Sequence, residues 1–584
     1  MAESKVSRYV ARLRDLELVK QPWLAHYQSL GENYNSRKMD FTRAGNVGEF
    51  LQDNIFCNVP QFAASIYASV CLSMLWPDAA RTFNIVPVPQ LRGLPGVEAY
   101  FKSVSLRQQQ FMDRTEAGLL LALMEHFFDQ GIFGTSGVAT LDGPSDDLSL
   151  PVVYETWDVK SMFISENNRG YIDTVFDKTE KTVRQIYEEY GTGKPGDKIS
   201  SRVVELYKSS KYDEKIELVK VIEPKTPIRG KRGMLAMPWR SCHLDMTNKL
   251  AMREGGFEEM PVAVARALKR AGEVQGRSFG MIGLPAAINL NSLSHDIIEA
   301  SEKNLKPPII VLDDGRLGGT VIDTSPDGLI VVNTSGRPFG EKPVQTLYTV
   351  GEMQSSKDLK TQLIEEVMQA FQLDRLLDLN NKTIMTAYET SVRNRMRGET
   401  TNSPFARQIM EVLTPTIKRT FNVLYRKGYF GDFPGVSENA PGVMQRRLWA
   451  SIGGKDDMIV PEVVRKAIIA GLDVYDVEYI SPAQRFMQAE KLQGLITSME
   501  AKLAVAATRP DILDGTDLDK WARDIDKYSG SPNNSQRTED EIRQVRAAMA
   551  ERQNAVAALE AGKATADIQA TSAKAMQTAS LIQR

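Results

Sequence analysis

Apolar positions recur at three- and four-residue steps across residues 289–306. Leu290, Leu293, Ile297 and Ala300 form one stripe, and Asp296, Glu299, Glu302 and Lys303 lie off it. The pattern predicts a helix over 285–306. Pro307 and Pro308 end it, because proline has no N–H to give and holds Lys306 extended. Lys303 and Lys306 stand where the negative pole of the helix dipole favours cations. At 1.5 Å per residue such a helix is a rod of about 33 Å. "IIVL" follows at once, then "TVIDTSPDG", "LIVV" and "VQTLYTV". "SPDG" has proline at the second turn position and glycine at the fourth, as a type I turn prefers. Residues 307–351 thus read as a small β unit of about 45 residues, too small for a core of its own.

A second helix is predicted from Ser355, where Ser355-x-x-Asp358 resembles a capping box. Its stripe is Leu359, Leu363, Val367, Ala370 and Phe371. "DLNNKTIM", 378–385, is a polar loop. A third helix starts at Thr386, where Thr386-x-x-Glu389 is a complete capping box. Pro404 and Pro415 kink or split it, and it ends before Gly428.

Upstream, 5–30 and 97–130 read as amphipathic helices, and "VCLSMLW" at 70–76 as a buried segment. "PVVYETWDV" and "SMFISENNRGYIDTVF" alternate as strands do, with "ENNRG" as a hairpin turn. "EKTVRQIYEEYG" puts Val183, Ile186, Tyr187 and Tyr190 on one helical face before Gly191. "KIELVKVIEP" and "GMLAMPWRSCHLDM" read as further strands. Downstream, "GLDVYDVEYISPAQRFMQAEKLQGL" is strand, then helix. Residues 531–541 are a loop. Ile542, Val545, Met549, Val556 and Leu559 follow heptad-like spacing, interrupted by Arg552. The fold class is α+β.

Composition narrows the classes. The 584 residues allow roughly four domains. A content of 42% hydrophobic and 25% charged residues is that of a soluble globular chain. The net charge of −2 and pI near 6.3 give no overall basic bias of the kind that grips nucleic acid. Cys57, Cys71 and Cys242 make no CxxC, so neither a zinc knuckle nor a disulfide framework is readable. The first residues are too charged for a signal peptide. No apolar run reaches the length of about 18 residues that a membrane span needs, so no membrane partner is expected.

Candidate chemistry is thin. None of the four histidines, His26, His126, His243 and His295, makes a metal-binding spacing. Adjacent Cys242 and His243 point to opposite faces of a strand. His295 beside the rod's stripe reads as rod surface or subunit contact. "GIFGTSG", 131–137, lacks the lysine of a phosphate loop and reads as a turn between helix and sheet. "RRLW" and "RGKRG" read as solvated loops. The acidic pairs in "SDD" at 145–147 and at 313–314 and 456–457 read the same way. No catalytic, cofactor or metal residue is assigned, and the chain is expected not to be an enzyme.

The order of parts adds a resemblance. "GEVQGRSFGMIGLPAAINLNSLSHDIIEASEKNLKPPIIV", 272–311, resembles the signature stretch of the head-to-tail connector (portal) proteins of tailed bacteriophages, of the short-tailed type. There a "YGRSP…LP…LN" segment leads into a helix ending in Lys-Pro-Pro. This chain has Gln275 at the tyrosine place and Phe279 at the proline place. "TIMTAYETSVRNRMRGE", 383–399, is similar to the family's helix start, matching at Ala387 and Arg393. "DVEYISPAQRFMQAEKLQGL" and "DTVFDKTEKTVRQIYEEYG" resemble its strand-to-helix return and its wing.

The resemblance implies a portal fold assembled as a ring, usually twelvefold, around a DNA channel. Residues 1–284 would be the first part of the wing, 285–306 stem helix 1, 307–351 a small α/β clip and 352–377 stem helix 2. Residues 378–385 would be the tunnel loop, 386–498 the second part of the wing and 499–584 a helical crown. Asp378, Asn380, Asn381 and Lys382 would lie nearest DNA. Asp296, Glu299, Glu365 and Glu366 would give the stem an acidic lining. Asp313, Asp314, Arg316 and Asp327 would meet the clip's partners. Expected partners are further copies of the chain, double-stranded DNA, the terminase large subunit, a tail adaptor, and the major capsid and scaffolding proteins. The expected place is the portal vertex of the virion, after assembly in the host cytoplasm. Two other readings are a ring-forming adaptor without a DNA channel and a nucleotide-driven ring motor; the motor would need the missing phosphate-loop lysine.

Overall fold

The computed structural model describes residues 2–42, 54–77, 82–144, 147–191, 197–227, 236–313, 323, 325–326, 328–333, 344–346, 354–376, 405–433, 436–452, 458–480, 482–506, 509, 515–529, 542, 544–556 and 571–576. Helices and strands are mixed throughout them, as an α+β chain requires. In chain order they begin with α1 (Ala2–Tyr34), α2 (Val59–Leu75), β1 (Phe83–Pro87), α3 (Val97–Met112) and α4 (Leu119–Phe133). Next come β2 (Thr135–Asp142), β3 (Val152–Trp157), β4 (Met162–Glu166), β5 (Ile172–Thr182), α5 (Val183–Tyr190) and α6 (Ser201–Lys208). They continue with β6 (Lys215–Pro224), β7 (Trp239–Asp245), β8 (Leu250–Phe257), β9 (Val262–Arg266) and α7 (Phe279–Leu305). Then follow β10 (Ile309–Asp313), β11 (Leu329–Asn333), β12 (Val344–Thr346) and α8 (Gln354–Ala370). A π-helical turn, Ile409–Leu413, precedes α9 (Thr414–Arg426). Helices Pro441–Ser451 and Glu462–Ile469, β13 (Tyr475–Tyr479) and helices Pro482–Ala506 and Leu518–Ser529 complete the order.

The chain divides into two compact units. The first comprises Met1–Thr82, Phe111–Val423 and Ser481–Glu490. Its main sheet is antiparallel, β4-β5-β6-β7-β8. Period-2 alternation gives this sheet two apolar faces. Phe176, Val219, Val221, Cys242 and Leu244 meet Val6, Tyr9, Leu13 and Leu16 of α1 on one side. Val175, Ile164 and Ile222 meet Ala139, Val262 and Val264 of the three-stranded sheet β3-β2-β9 on the other. The hairpin predicted at "ENNRG" is present. Asn167 accepts from the N–H groups of Arg169 and Tyr171, and Gly170 takes the left-handed conformation. Cys242 lies in the core, while neighbouring His243 turns the other way to the hydroxyl of Tyr190 at 2.7 Å.

Lys20 is buried where α1 crosses the β3–β4 turn. Its ammonium donates to the carbonyls of Val159, Lys160 and Met162 and stands 4.4 Å from the centre of the Phe163 ring. Burial pulls its pKa down to about 7.

The second unit comprises Phe83–Gln110, Leu424–Ile480 and Lys491–Arg584. β1 and β13 pair antiparallel, with Phe83 opposite Tyr479. Ser105 on α3 accepts from the Ile85 N–H at 2.8 Å, and the Tyr100 hydroxyl donates to the Phe430 carbonyl at 2.9 Å. The heptad-spaced residues Met549 and Val556 are exposed on a helical stretch.

Several boundaries differ from the pattern reading. α7 starts at Phe279, not 285, because Ser278 caps it and Pro285 is tolerated inside it on an exposed face. Helix 97–130 is two helices, parted by a 3-10 turn at Thr115–Ala117 and the left-handed Gly118. α8 starts at Gln354, so Ser355 is its second residue and not its cap. Gly191 is the C-terminal cap of α5 as expected, in a right-handed conformation with its N–H on the Tyr187 carbonyl. The helix start at Thr386, Pro404 and the loop 531–541 lie outside the described residues.

Candidate functional site: a helix pair carrying a small sheet

The most distinctive local build lies where the signature stretch enters α7. The Ser278 hydroxyl accepts from the Met281 N–H at 2.9 Å and donates to the Ile132 carbonyl at 2.6 Å, so one side chain caps α7 and ties it to α4. The Gly276 N–H donates to the Thr135 hydroxyl at 2.8 Å. Gln275, at the family's tyrosine place, is buried, and its amide oxygen lies 3.5 Å from the Tyr27 hydroxyl. "GIFGTSG" is the other half of this junction. Gly134 ends α4 in a left-handed conformation and sends the chain straight into β2. The turn reading holds, and its tightness replaces the flexibility such a glycine run implies.

α7 then runs against α8. A Cβ on Gly283 would stand 2.9 Å from the Cβ of Ala370 and 2.9 Å from the Tyr34 hydroxyl, so the missing side chain is what admits α8. Phe371, at the end of α8, meets Tyr34 at 5.5 Å and Tyr67 at 5.8 Å, and Tyr67 meets Phe279 at 5.4 Å. This aromatic cluster fixes the start of α7 to the end of α8, so the two helices run antiparallel. Leu363 and Val367 of α8 and Ala286, Ala287 and Leu290 of α7 are buried along them. At the other end sits the small sheet β11-β10-β12, parallel between β10 and β11 and antiparallel between β10 and β12. The "SPDG" turn closes with the Gly328 N–H donating to the Ser325 carbonyl at 2.9 Å, and Asp323 before it accepts from the Ser325 N–H at 3.0 Å and the Ser325 hydroxyl at 2.6 Å.

The predicted acidic residues fall on the exposed sides of this pair. Asp296, Glu365 and Glu366 are exposed, and Glu299 is partly so. Glu299 pairs with Lys303 at 2.6 Å, which holds its carboxyl below the usual range. His295 is 48% exposed, its Nδ1 lies 3.4 Å from Asp296, and its ring stands edge-on to Phe56 at 4.5 Å. The ligand atoms of His295, Asp296 and Glu299 lie within 4.8 Å of one another, but Lys303 already neutralises one carboxylate. Asp313 ends β10. Asp314, Arg316 and Asp327 of the small β unit, and Asp378, Asn380, Asn381 and Lys382 of the loop, lie outside the described residues.

Two features here escape the pattern reading. Asn291, on a polar stretch of α7, accepts from the N–H groups of Phe56 and Cys57 at 2.7 and 3.2 Å and donates to the Asn54 carbonyl at 2.8 Å. It therefore pins the segment that leads into α2. The Ser278 cap before "FGMIGL" is a readable signal, masked by taking Pro285 as the helix start.

Burial lowers His126 and His243 to about 4 and raises the thiols of Cys71 and Cys242 to about 12. Neither pair is poised for proton transfer or nucleophilic attack near neutral pH.

Comparison with known proteins gives the family. Residues 7–447 match the family model described as bacteriophage head to tail connecting protein. A probable portal protein of Bordetella phage BPP-1 is 22% identical over 529 residues, covering 88% of this chain and 85% of that protein. The portal protein of Salmonella phage epsilon15 is 22% identical over 585 residues, covering 97% and 95%. A chain in the neck of a native gene transfer agent particle, solved with C12 symmetry, is 12% identical, covers 73% of this chain and 93% of its own, and has a TM-score of 0.31. With its family model matched from the first helix to residue 447, the chain belongs to the bacteriophage head to tail connecting proteins, a structural, portal-type component of the phage virion.

Proposed function

We propose that copies of this chain, twelve in the virion, close into a ring at the portal vertex, where double-stranded DNA enters and leaves the capsid. In this reading α7 and α8 are the stem, 307–351 the clip, 378–385 the tunnel loop, 1–284 and 386–498 the wing, and 499–584 the crown. The observation that carries it is the antiparallel pair α7–α8 with a small sheet at one end. A heterologous contact repeated by rotation closes such rods into a ring.

Charge supports a conduit. A protein that neutralised six to ten phosphates would hold DNA with an affinity falling about 10³–10⁵-fold over a modest salt rise. Such a grip would stall a travelling duplex. Asp296, Glu365 and Glu366 are exposed instead, and a ring turns each inward carboxylate into a band of like charge. Asp378, Asn380, Asn381 and Lys382 of the tunnel loop would then lie nearest the duplex. The clip, with Asp313, Asp314, Arg316 and Asp327, would dock the terminase large subunit during packaging and a tail adaptor afterwards. The wing and crown would meet capsid and scaffolding proteins during assembly in the host cytoplasm.

Ring-averaged electron micrographs of the purified chain test this directly. A ring with a hole wide enough for B-form DNA is expected; a solid plug or a monomer overturns the reading. Alanine at Asn380, Asn381 and Lys382 tests the loop, with packaging and retention of DNA scored separately. Normal values for both would remove its assigned role.

A further inference from the structure

Val6, Tyr9, Leu13 and Leu16 of α1 are buried against the main sheet, and Tyr27, Leu30 and Tyr34 are buried at its other end. These positions follow one alternation of three- and four-residue steps. Lys20 stands on it, four residues after Leu16 and seven before Tyr27. It is the one charged side chain of that stripe, and it is 2% exposed.

The β3–β4 turn beside it is built to meet a cation. The N–H groups of Ser161 and Met162 donate to the Asp158 carbonyl at 3.1 and 3.0 Å, and that of Lys160 to the Asp158 carboxylate at 3.0 Å. The Ser161 hydroxyl donates to Asp177 of β5 at 2.7 Å and braces the turn from the sheet. Of the four carbonyls from 159 to 162, that of Ser161 accepts from the Lys178 N–H at 3.0 Å. Those of Val159, Lys160 and Met162 all accept from the Lys20 ammonium, the last two at 2.8 Å each. Three acceptors match the three donors of an ammonium, whereas a neutral amine has two N–H groups and an apolar side chain none. The Phe163 ring, 4.4 Å away, adds a cation–π contact. Burial disfavours the charge, and Asp158, Asp177 and Glu17 favour it.

We infer that the 158–162 turn is a receptor for one alkylammonium cation, that Lys20 is its tethered occupant, and that this pairing fixes the height of α1 on the sheet. An apolar stripe decides which face of a helix is buried, and constrains its position along the axis less. A slide of seven residues, about 10 Å, brings another apolar side chain to most sites of the α1 stripe. The same slide moves Lys20 into an apolar site and sets Leu13 or Tyr27 against three buried carbonyls, and both changes are costly. Height matters because α1 serves two layers: Leu13 and Leu16 pack on the sheet, and Tyr34 meets Phe371 where α8 ends beside α7. The contact lies within one chain and does not depend on the ring reading.

Zero-length carbodiimide coupling of the full chain, with the links located by mass spectrometry, reads this height directly. Glu17 lies 3.3 Å from Lys178 and Glu254 lies 3.6 Å from Lys5, so both pairs couple when α1 is in place. Lys20→Met keeps the length of the side chain and removes its charge. That variant should still unfold cooperatively, while the yields of both links fall about threefold. Lys20→Ala should lose them likewise, and n-propylammonium, the missing part of the side chain, should restore them where n-propanol does not. Unchanged links in Lys20→Met overturn the inference, since the stripe alone then sets the height. A Lys20→Met chain that no longer folds also overturns it, because the lysine would then carry the fold and not its register. Restoration by propanol as well as by propylammonium overturns the cation receptor, since filled volume would then be the cause.

Discussion

Gly134 and Gly276 face each other backbone to backbone. A Cβ on either would stand 2.3 Å from the carbonyl oxygen of the other. The contact joins four element ends: the close of α4, the start of β2, the end of β9 and the entry to α7. The Ala267 N–H donates to the Gly134 carbonyl at 2.8 Å and the Gly276 N–H to the Thr135 hydroxyl at 2.8 Å, so the two segments are also hydrogen-bonded around the glycines. This gives a physical reason for a glycine in the "GRS" of the signature stretch: the rod is rooted where only bare backbone fits.

Gly276→Ala is expected to lower stability by about 2–3 kcal/mol through overpacking against backbone that cannot yield. Gly272→Ala is the control. It has a left-handed φ of 82° but nothing within 4 Å of its would-be Cβ, so it carries only the conformational cost of about 1 kcal/mol. Denaturant midpoints of the two variants measure the difference. Equal costs would mean that the backbone contact is not what selects glycine at 276.

Stability should also depend on the buried histidine of α4. The His126 Nε2–H donates to the Gln408 amide oxygen at 3.2 Å, and burial lowers its pKa from 6.5 to about 4. The unfolded chain therefore binds a proton at a higher pH than the folded one. The contribution of this group is fully present above pH 6.5 and is lost as the pH falls towards 4. Asp129 works in the opposite sense. Burial raises it to about 6 despite its 2.6 Å pair with Lys38, so the folded chain gains stability as the pH falls from 6 to 3.8. Unfolding midpoints at pH 7.5 and 5 should separate the two. His126→Gln is expected to lose less stability on acidification than the wild type, and Asp129→Asn to lose more. Parallel pH profiles for all three chains would refute both assignments.

Asn291→Ala removes the acceptor for two backbone N–H groups and the donor to a carbonyl. A cost of about 1–3 kcal/mol is expected, together with faster amide exchange at Phe56 and Cys57. Asn291→Asp keeps the acceptor and should slow that exchange again. Unchanged exchange in the alanine variant would show that the segment is held by other groups.

How much of this is legible in the sequence depends on how local each cause is. The strand at "KIELVKVIEP" is fully legible, because a period-2 pattern is carried by its own residues and β6 spans those ten. The rod is legible in its second half, where Pro307 and Pro308 stop it. Its start carries a readable signal in Ser278, whose hydroxyl caps α7 by accepting from the Met281 N–H, but Pro285 also looks like a beginning and hides it. The Gly134–Gly276 contact joins positions 142 residues apart and Asn291 reaches back 237 to Asn54. No window along the chain contains either pair. The acidic residues Asp296, Glu365 and Glu366 of α7 and α8 are legible as exposed, because they sit off an apolar stripe, but periodicity within one helix says nothing of what its polar face meets.

The kink predicted at Pro415 has a side-chain cause as well as a backbone one. Proline at 415 has no N–H for the Glu411 carbonyl and its ring crowds that oxygen, so the preceding turn widens to a π-helix in which the Thr414 N–H reaches the Ile409 carbonyl. The widened turn aims Glu411 at Arg266. Its carboxylate accepts from the Arg266 backbone N–H at 2.9 Å and lies 3.3 Å from the guanidinium, which is 3% exposed and also bound by Glu166 at 2.9 Å. Glu411→Gln removes a charge from a largely buried network and leaves Arg266 half answered, so a loss of about 3 kcal/mol is expected. Arg407 pairs with the same carboxylate at 3.1 Å but is 34% exposed, and Arg407→Gln should cost under about 1 kcal/mol. Denaturant midpoints of the two single variants decide the point. If Arg407→Gln costs as much as Glu411→Gln, the π-turn is held from its own helix and not by the strand end at Arg266.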